Sequence, residues 1–208
     1  MIKNIFIVRH GETKYNSEGR VQGGGLDSPL TSEGENQAQL LSKYLKEQNF
    51  SCDFIYSSPL ERSLHTARIV TSYMQKEIIQ DPLLKEISCG EYEGKLISEL
   101  DTEKLRRLRI DPTEKYPGGE CVDDVRHRGD QFLSKLKNAT GDVALIFSHG
   151  NFLRAFASAA TSLPSLLSMR IYLDNTGFGS LFWSGDYYRI SLWNSLAHLE
   201  KLTKRIHI

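Results

Sequence analysis

The sequence contains few cysteines, and those present are poorly suited to a structural cross-link. Cys52, Cys89 and Cys121 are widely spaced, and no two of them form a CxxC pair. Disulfide frameworks and zinc sites usually need an even number of cysteines or closely spaced pairs. The pattern therefore argues against both, and it favours a protein from a reducing, cytoplasmic environment.

Excess charge and long hydrophobic segments are also missing. Lys plus Arg equals Asp plus Glu at 26 each, so the formal net charge is zero. The apolar stretch at residues 2–8 is short and contains Lys3 and Asn4, which does not fit a signal peptide. No segment of the sequence has the length of a membrane span. We therefore expect neither nucleic acid nor a membrane as a partner, and any attraction for anions must be local.

What the chain does contain is an ordinary globular composition with alternating strand and helix patterns. Its 208 residues, 39% hydrophobic and 25% charged, fit a single domain over 1–208. Apolar runs predict strands at residues 5–8, 53–58, 77–80 and 143–147, and a hairpin at 177–193. Residues 15–30 predict a loop, because they are rich in glycine and polar residues.

Helices are predicted between these strands by capping motifs and apolar stripes. Ser32 with Glu35, and Ser58 with Glu61, match the capping box that begins many helices. An apolar stripe at helical spacing follows the first box and consists of Ala38, Leu41 and Leu45. Further helices are predicted at residues 96–109, 122–137 and 151–160.

The order of these elements predicts a three-layer α/β/α sandwich. Strands that alternate with helices favour a mostly parallel sheet covered on both faces, and the terminal hairpin would add an antiparallel edge. Residues 91–120 differ in character, because they are charged and contain the turn-forming sequences DP and YPGG. We predict that this stretch forms a small cap inserted over one end of the sheet.

Charged residues follow the predicted strands in a way that packing does not explain. Arg9 and His10 end the first strand, Arg62 lies in the first helical turn after the second, and His149 follows the strand at 143–147. The carboxyl ends of parallel strands share one edge of a sheet, where ligands bind in open α/β folds. Two histidines and two arginines from distant parts of the sequence should therefore meet.

An anion is the natural ligand of such a cluster. Crowded cations are costly without a negative partner, and arginine matches phosphoryl oxygens with paired hydrogen bonds. The helix that starts near Asn151 would add backbone N–H groups and the positive end of its dipole. Glycine follows each histidine, at Gly11 and Gly150, and permits a tight turn and close approach of a ligand. The cluster predicts a phosphate pocket in which a neutral histidine is a competent nucleophile toward phosphorus.

The motifs around these residues resemble those of the histidine phosphatase superfamily, also called the phosphoglycerate mutase-like superfamily. They run in family order over nearly the whole chain: RHGET at 9–13 with Asn16, QG at 22–23, DSPLT at 27–31, SSPLERSLHTA at 57–67, EISCGEYEG at 86–94, PGGE at 117–120 and FSHGNFLRA at 147–155. The RHG sequence alone is weak evidence, whereas the ordered set is very specific.

The resemblance implies a role for each matching residue. His10 would be the nucleophile and would form a phosphohistidine. Arg9, Arg62 and His149 would surround the phosphoryl group and stabilise its charge, so that no metal or cofactor is expected. Glu86 would protonate the leaving oxygen and then act as base toward water. The positions that would line the substrate side are Asn16, Gln22, Gly23 and Gly150.

Several positions keep two interpretations at this level. Glu12 either orients a histidine or caps the turn, and Cys89 either lines the substrate pocket or packs as a small residue. His198 either has a structural role, which we favour, or reaches the substrate. The basic residues of the cap form either a solvated mixed-charge surface, which is the default, or an attraction for a second anionic group. The loop QGGGLD is one residue longer than is common in the family, which predicts a more mobile loop and leaves the placement of Gln22 open.

Within the superfamily, the sequence favours a phosphatase that acts on small phosphomonoesters. Mutases follow their acidic residue with Arg and then Tyr-Gly, whereas Ile87, Ser88 and Cys89 follow Glu86 here, and the cap is short. A cofactor-dependent phosphoglycerate mutase is the alternative. A non-catalytic regulatory module is disfavoured, because every catalytic position is present. The expected partner is a small phosphorylated metabolite, the C-terminal part looks closest to phosphoserine phosphatases, and a homodimer stays open.

Overall fold

The computed structural model describes residues 1–199, which are built around a six-stranded mixed sheet. The strands are β1 (Asn4–Arg9), β2 (Phe54–Ser57), β3 (Ile78–Gln80), β4 (Val143–Ser148), β5 (Phe178–Trp183) and β6 (Tyr188–Ser195). The helices are α1 (Lys14–Ser17), α2 (Ser32–Glu47), α3 (Glu61–Val70), α4 (Thr102–Ile110), α5 (Val122–Asn138), α6 (Gly150–Ala160) and α7 (Ser165–Ser168). Short 3-10 helices lie at Pro82–Leu84, Gly90–Tyr92, Ile97–Glu99 and Ala197–Leu199.

The sheet has the mixed topology that the sequence predicts. Its strand order is β3-β2-β4-β1-β5-β6. The first four strands in that order are parallel, β5 runs antiparallel to β1, and β6 completes the hairpin. The prediction of a mostly parallel sheet with an antiparallel edge is confirmed.

Two hydrophobic clusters, one on each face of the sheet, make the structure three-layered. Successive residues of β4 alternate between them: Ala144 and Ile146 pack with α5 and α6, whereas Leu145 and Phe147 pack with α2 and α3. A strand covered on both faces must be apolar at every position, which is why the central strands read as continuous hydrophobic runs. The predicted α/β/α sandwich is confirmed.

Register places the ends of three parallel strands at one point. Arg9 at the end of β1 lies opposite Ser148 at the end of β4. Ser57 at the end of β2 lies opposite Phe147 of β4. The charged motifs that follow these strands therefore begin at the same level of the same edge.

Both predicted capping boxes are wrong in detail. Helix α2 is capped by Thr31, whose Oγ1 accepts from the amide of Gly34 at 3.0 Å, one residue before the predicted position. Helix α3 begins at Glu61 and has no cap from its own preceding residues. Its first amide donates instead to the carboxylate of Asp27, which the loop after β1 brings across from a distant part of the chain.

The stretch between β3 and α5 contains less helix than the sequence predicts. Helix α4 begins at Thr102, six residues later than expected at 96, because the side chain of Asp101 caps it by accepting from the amide of Lys104 at 2.6 Å. Residues 97–99 form a separate 3-10 helix. The predicted loop at 15–30 also contains the end of the short helix α1. In the part of the chain described here, no helix is long and apolar enough to cross a membrane.

Candidate active site

The three charged motifs come together at the carboxyl edge of the sheet. The amide of His10 donates to the carbonyl of Ser148 at 3.0 Å. The rings of His10 and His149 are consequently neighbours, with centroids 5.2 Å apart. Arg62, in the first turn of α3, reaches the same point and donates from Nε to Nδ1 of His149 at 3.2 Å.

His10 is held as a neutral imidazole whose lone pair is on Nε2. Its Nδ1 lies 2.8 Å from the carbonyl oxygen of Gly11, and a carbonyl only accepts, so Nδ1 carries the proton. Burial first, and then the positive charges of Arg62 and Arg9, lower the pKa of His10 well below its ordinary value of 6.5. Nε2 is therefore unprotonated at neutral pH, as a nucleophile requires.

His149 is also neutral but has the opposite tautomer. Its Nδ1 accepts from Arg62, so the ring proton is on Nε2, which lies 2.8 Å from Ser58 Oγ. Burial first, followed by the charge of Arg62, lowers the pKa of His149 well below its ordinary value. Ser58, predicted as a helix cap, accepts from the amide of Leu60 at 3.3 Å just before α3 and also contacts the second histidine of the site.

The guanidinium group of Arg62 is 1% exposed and is held by the glycine-rich loop after Gln22. Nη2 donates to the carbonyl of Gly23 at 2.7 Å. Nη1 donates to the carbonyl of Leu26 at 2.8 Å and to Asp27 Oδ1 at 3.0 Å. Burial lowers the pKa of Arg62, and the charge of Asp27 opposes that shift. Asp27 thus balances a buried positive charge and caps α3 at the same time.

Arg9 lies beside the start of α6. Its Nη1 donates to the carbonyl of Leu173 at 2.7 Å. A Cβ added to Gly150 would lie 3.6 Å from Arg9 Nε, so the guanidinium packs against the first residue of the helix. Burial lowers the pKa of Arg9, and the charge of Glu86 is the largest effect that opposes this.

Two buried polar side-chain atoms of residues 1–199 have no hydrogen-bond partner, and both belong to predicted site residues. They are Arg9 Nε and Gln22 Oε1. Buried polar groups are nearly always paired, so an unpaired donor and an unpaired acceptor in one site need an explanation. A phosphoryl oxygen accepts a hydrogen bond, and a protonated one also donates, so a phosphomonoester has the chemistry to satisfy both atoms.

Glu86 lies at the amino end of α6. Its Oε1 accepts from the amide of Phe152 at 3.0 Å, and its Oε2 accepts from the amide of Asn151 at 3.1 Å. The unpaired N–H groups and the dipole of a helix amino terminus favour a carboxylate there. The negative charge of Glu86 opposes the lowering of the pKa values of Arg9 and Arg62 by burial, so Glu86 lies within electrostatic range of both arginines.

Asn16 and Gln22 are connected to the His10 turn through polar contacts. Gln22 is buried and donates from Nε2 to Thr13 Oγ1. Oδ1 of Asn16 accepts from the amide of Thr13 and from Nδ2 of Asn175, both at 3.2 Å. The same Asn175 amide donates to the carbonyl of His10 at 3.0 Å. These contacts set the loop of Gln22 beside the predicted nucleophile.

The glycine-rich loop is held from the other side by Glu93. Oε1 of Glu93 accepts from the amides of Gly25 at 3.1 Å and Cys89 at 3.0 Å. A Cβ on Gly23 or Gly25 would collide with this carboxylate and displace it, and the φ of +63° at Gly23 also favours glycine there. The extra residue of the loop is therefore accommodated by a carboxylate contact that the sequence motifs do not indicate.

The contacts of Glu12 and Cys89 favour the structural interpretation of each residue, namely capping of the turn for Glu12 and packing for Cys89. Glu12 Oε1 accepts from Thr31 Oγ1 at 2.8 Å, which fixes the turn after β1 to the start of α2. Cys89 is buried within a hydrophobic cluster, and burial raises the pKa of its thiol.

The predicted cap has a mixed-charge surface. Lys104 and Arg107 both contact Glu114, and Arg106 contacts Glu103. Each of these basic residues thus has an acidic neighbour, which supports the solvated-surface interpretation for this part of the cap.

The segment before β5 supports the turn that carries His10. The amide of Thr176 donates to the carbonyls of Arg9 at 3.0 Å and His10 at 3.2 Å. Thr176 Oγ1 donates to the carbonyl of Asn175 at 2.8 Å, and Nε2 of the buried His198 lies 2.9 Å from that hydroxyl. The side chains of His198 and Thr176 are therefore hydrogen-bonded to each other. His198 therefore supports the site from behind.

The buried His198 should make stability depend on pH. Burial lowers its pKa to about 4, whereas an unperturbed histidine titrates near 6.5. Between these values the unfolded chain binds a proton that the folded chain does not. The free energy of unfolding should therefore fall as pH falls, by about 3 kcal/mol from this group. His198→Gln keeps an N–H donor for Thr176 but does not titrate.

Denaturant titrations at pH 7 and pH 4 measure this effect. We expect the wild type to lose about 3 kcal/mol relative to His198→Gln between the two pH values. His127→Gln, on the exposed face of α5, is the matched control and should follow the wild type. A pH-independent difference between the wild type and His198→Gln would contradict the titration that we assign to His198.

The site combines a neutral nucleophilic nitrogen, the buried guanidinium group of Arg62, the partly buried one of Arg9, a helix amino terminus and a carboxylate. This set has the chemistry to bind a phosphoryl group and transfer it to nitrogen. Among the described residues, no three His, Cys, Asp or Glu side chains are grouped so as to hold a metal ion. Three further residues contact parts of the site, and the sequence analysis assigned them no role: Asp27, Glu93 and Arg154. They lie within the sequence motifs quoted above, but only the fold shows which atoms they contact.

Known proteins resemble this chain over nearly its whole length. The family model described as the histidine phosphatase superfamily (branch 1) matches residues 5–196. A protein of Hydrogenobacter thermophilus named "Putative phosphoserine phosphatase 2" is 33% identical over 207 residues, which cover 97% of this chain and 100% of that protein. A protein of Serratia proteamaculans named "Probable phosphoglycerate mutase GpmB" is 35% identical over 176 residues, which cover 82% and 80%.

Solved structures also resemble this chain over nearly its whole length. A mycobacterial glucosyl-3-phosphoglycerate phosphatase, solved with VO3, has a TM-score of 0.86 and 25% identity, and the match covers 93% of this chain and 99% of that one. The resemblance thus extends from the sequence motifs to the arrangement of the whole sheet and its helices. This chain belongs to the histidine phosphatase superfamily.

Proposed function

We propose that this protein is a metal-independent phosphatase that hydrolyses small phosphomonoesters through a phosphohistidine at His10. The state of His10 is the observation that supports this most directly. Its Nδ1 proton is held by the Gly11 carbonyl, and Nε2 carries a free lone pair near the buried Arg62 and the partly buried Arg9. Such a nitrogen attacks an electrophile, and the unpaired Arg9 Nε is suited to the oxygens of a phosphoryl group.

In the first step, Nε2 of His10 forms a bond to phosphorus while the bond from phosphorus to the leaving oxygen breaks. Glu86, in its protonated form, gives its proton to that oxygen, so the product leaves as a neutral alcohol. Arg9 and Arg62 stabilise the oxygens of the transferring group, where charge accumulates in a loose transition state.

In the second step, water attacks the phosphorus of the phosphohistidine. The Glu86 carboxylate takes a proton from the water, the bond between nitrogen and phosphorus breaks, and its electron pair returns to Nε2 of His10. Inorganic phosphate leaves and Glu86 is protonated again. We propose that His149, which accepts from Arg62 Nε, aids both steps by orienting that guanidinium toward the phosphoryl charge.

The names of similar proteins indicate which compounds to test first. Phosphoserine, phosphoglycerate and glucosyl-3-phosphoglycerate are all phosphate esters of three-carbon carboxylic acids. We therefore propose small alkyl phosphomonoesters of this class as substrates, beginning with O-phosphoserine. No cofactor is needed by the mechanism, because the residues above supply the charge and move the proton.

A phosphoglycerate mutase is the second candidate, because several similar proteins carry that name. The residues after Glu86 argue against it. Ile87 is 1% exposed and Cys89 is 3% exposed, and the amide of Ser88 donates to Glu120 Oε2 at 2.8 Å. These three positions are used by the fold, and none offers a cation to the carboxylate of a phosphoglycerate.

Two rates measured on one preparation test this choice. We expect release of inorganic phosphate from O-phosphoserine or p-nitrophenyl phosphate to continue in excess EDTA, because arginines supply the positive charge. We also expect 3-phosphoglycerate to be converted to 2-phosphoglycerate much more slowly than phosphate is released, even after priming with 2,3-bisphosphoglycerate. Efficient isomerisation with little phosphate release would identify a mutase. Activity that EDTA removes and magnesium or zinc restores would contradict the metal-independent mechanism.

A further inference from the structure

Arg154 is a partly buried arginine of α6 for which the mechanism above has no role. It lies one helical turn after Gly150, to whose carbonyl its Nε donates at 3.2 Å. Its Nη1 donates to the carbonyl of Ile171 at 3.2 Å, and its Nη2 donates to Oδ1 of Asn151. Burying a guanidinium group is costly, and these three contacts direct it toward the end of the helix where Glu86 lies.

The amide group of Asn151 connects this arginine to Glu86. A guanidinium group only donates, so the oxygen of the amide must face Arg154. The amide nitrogen is then directed away from Arg154, and it lies 3.3 Å from Glu86 Oε2. The backbone amide of Asn151 donates to the same oxygen at 3.1 Å. Arg154 thus determines which end of the Asn151 side chain meets the carboxylate.

The Glu86 carboxylate is held at both oxygens, and the Asn151 amide supplies its side-chain contact. The amides of Phe152 and Ile87 donate to Oε1 at 3.0 and 2.9 Å, and among residues 1–199 the hydrogen bonds to Oε2 come from the backbone and side chain of Asn151. An acid that protonates a leaving group must be aligned with it, and an error of about 1 Å costs up to about 10²-fold in rate.

We propose that Arg154 is a positioning residue for Glu86 and acts through the side chain of Asn151. This inference rests on the proposed role of Glu86 as general acid. Arg154 orients the Asn151 amide, the amide holds Oε2 of Glu86, and the carboxyl group is thereby kept at the position where it meets the leaving oxygen. Arg154 itself does not contact the reacting atoms.

A pair of aryl phosphates separates positioning of the acid from other effects. Phenyl phosphate has a poor leaving group that needs protonation, whereas p-nitrophenyl phosphate has a good one that needs little. The ratio of kcat/KM for the two substrates therefore reports on the acid. Loss of stability, or weaker phosphate binding from a changed charge, lowers both values together and leaves the ratio unchanged.

Arg154→Met and Asn151→Ala should each lower the phenyl to p-nitrophenyl ratio by about tenfold, within the range expected for a misplaced acid. The double variant should lower the ratio no further than either single variant, because the two residues act in series. Arg126→Met is the matched control, since Arg126 is an arginine of α5 that also donates to a backbone carbonyl, that of Leu163. Its ratio should equal that of the wild type.

Equal losses on the two substrates, or effects on the ratio that multiply in the double variant, would overturn the inference. If Arg154→Met does not fold, Asn151→Ala is the deciding variant. An unchanged ratio in Asn151→Ala would show that the Asn151 side chain does not position Glu86, and the inference would then be wrong. Glu86→Gln distinguishes the two proposals. A changed ratio in Glu86→Gln with an unchanged ratio in Arg154→Met rejects only the positioning role, whereas an unchanged ratio in Glu86→Gln rejects the general acid and the inference with it.

Discussion

We expect Glu86→Gln to lower kcat/KM for phenyl phosphate and O-phosphoserine by about 10²–10⁴-fold, the usual contribution of a general acid. The loss on p-nitrophenyl phosphate should be much smaller. Glutamine has nearly the shape of glutamate and still accepts from the amide of Phe152 through Oε1, but it loses the hydrogen bonds that Oε2 accepts from Asn151 and has no carboxylic proton to give. A nitrophenolate leaves without that proton, whereas the more basic phenolate and alkoxide ions need it.

Steady-state kinetics with the three substrates measure the effect. Glu103→Gln is the matched control, because Glu103 pairs with Arg106 on the exposed surface of α4. Its kinetics should equal those of the wild type on every substrate. Equal losses for Glu86→Gln on all three substrates would show that Glu86 does not protonate the leaving group, and Glu93 beside the glycine-rich loop would be the next carboxylate to test.

His10→Ala should have the largest effect of any single substitution. Removal of a nucleophile typically costs about 10⁴-fold or more in kcat. The variant should also form no phosphoenzyme, because Nε2 of His10 is the atom to which phosphorus becomes bonded. The fold should survive, since among the described residues the His10 side chain has one hydrogen bond, to its neighbour Gly11.

A rapid quench with labelled substrate tests this assignment. The bond between nitrogen and phosphorus survives alkali and breaks in acid, so label on the wild type should be stable in base and labile in acid. His65→Ala is the control, because His65 is a partly exposed histidine of α3 whose Nε2 lies 4.0 Å from Oε1 of Glu35. Label that persists in His10→Ala would mean that another residue accepts the phosphoryl group.

The architecture follows from patterns that are local in the sequence. Ala38, Leu41 and Leu45 recur at helical spacing, and each is at most 2% exposed in α2. The runs at β1 and β4 are apolar at successive positions, and both strands are covered on two faces. Periodicity reports which side of an element is buried, and burial of apolar surface is the main driving force for folding.

Predictions of helix ends were less accurate, because the residues that cap a helix can come from distant parts of the sequence. Ser58 has the spacing of a helix cap, but its hydroxyl contacts His149, 91 residues away. Asp27 caps α3 across 34 residues of sequence. Any nearby acceptor satisfies the free N–H groups of a helix start, so the cap is decided by which side chain the fold brings there.

The sequence by itself determined the superfamily, the layered fold and the identity of the residues that carry charge at the strand ends. Strand ends and the motifs that contain these glycines and arginines can be predicted, because each is defined by residues that are adjacent in the sequence. Tertiary structure alone decided how those residues work. It set the tautomers of His10 and His149, placed Glu86 on the amino end of α6 across 65 residues, and connected Arg154 to it through Asn151. Protonation and hydrogen bonding depend on burial and on groups that are distant in sequence, so they are fixed only when the chain has folded.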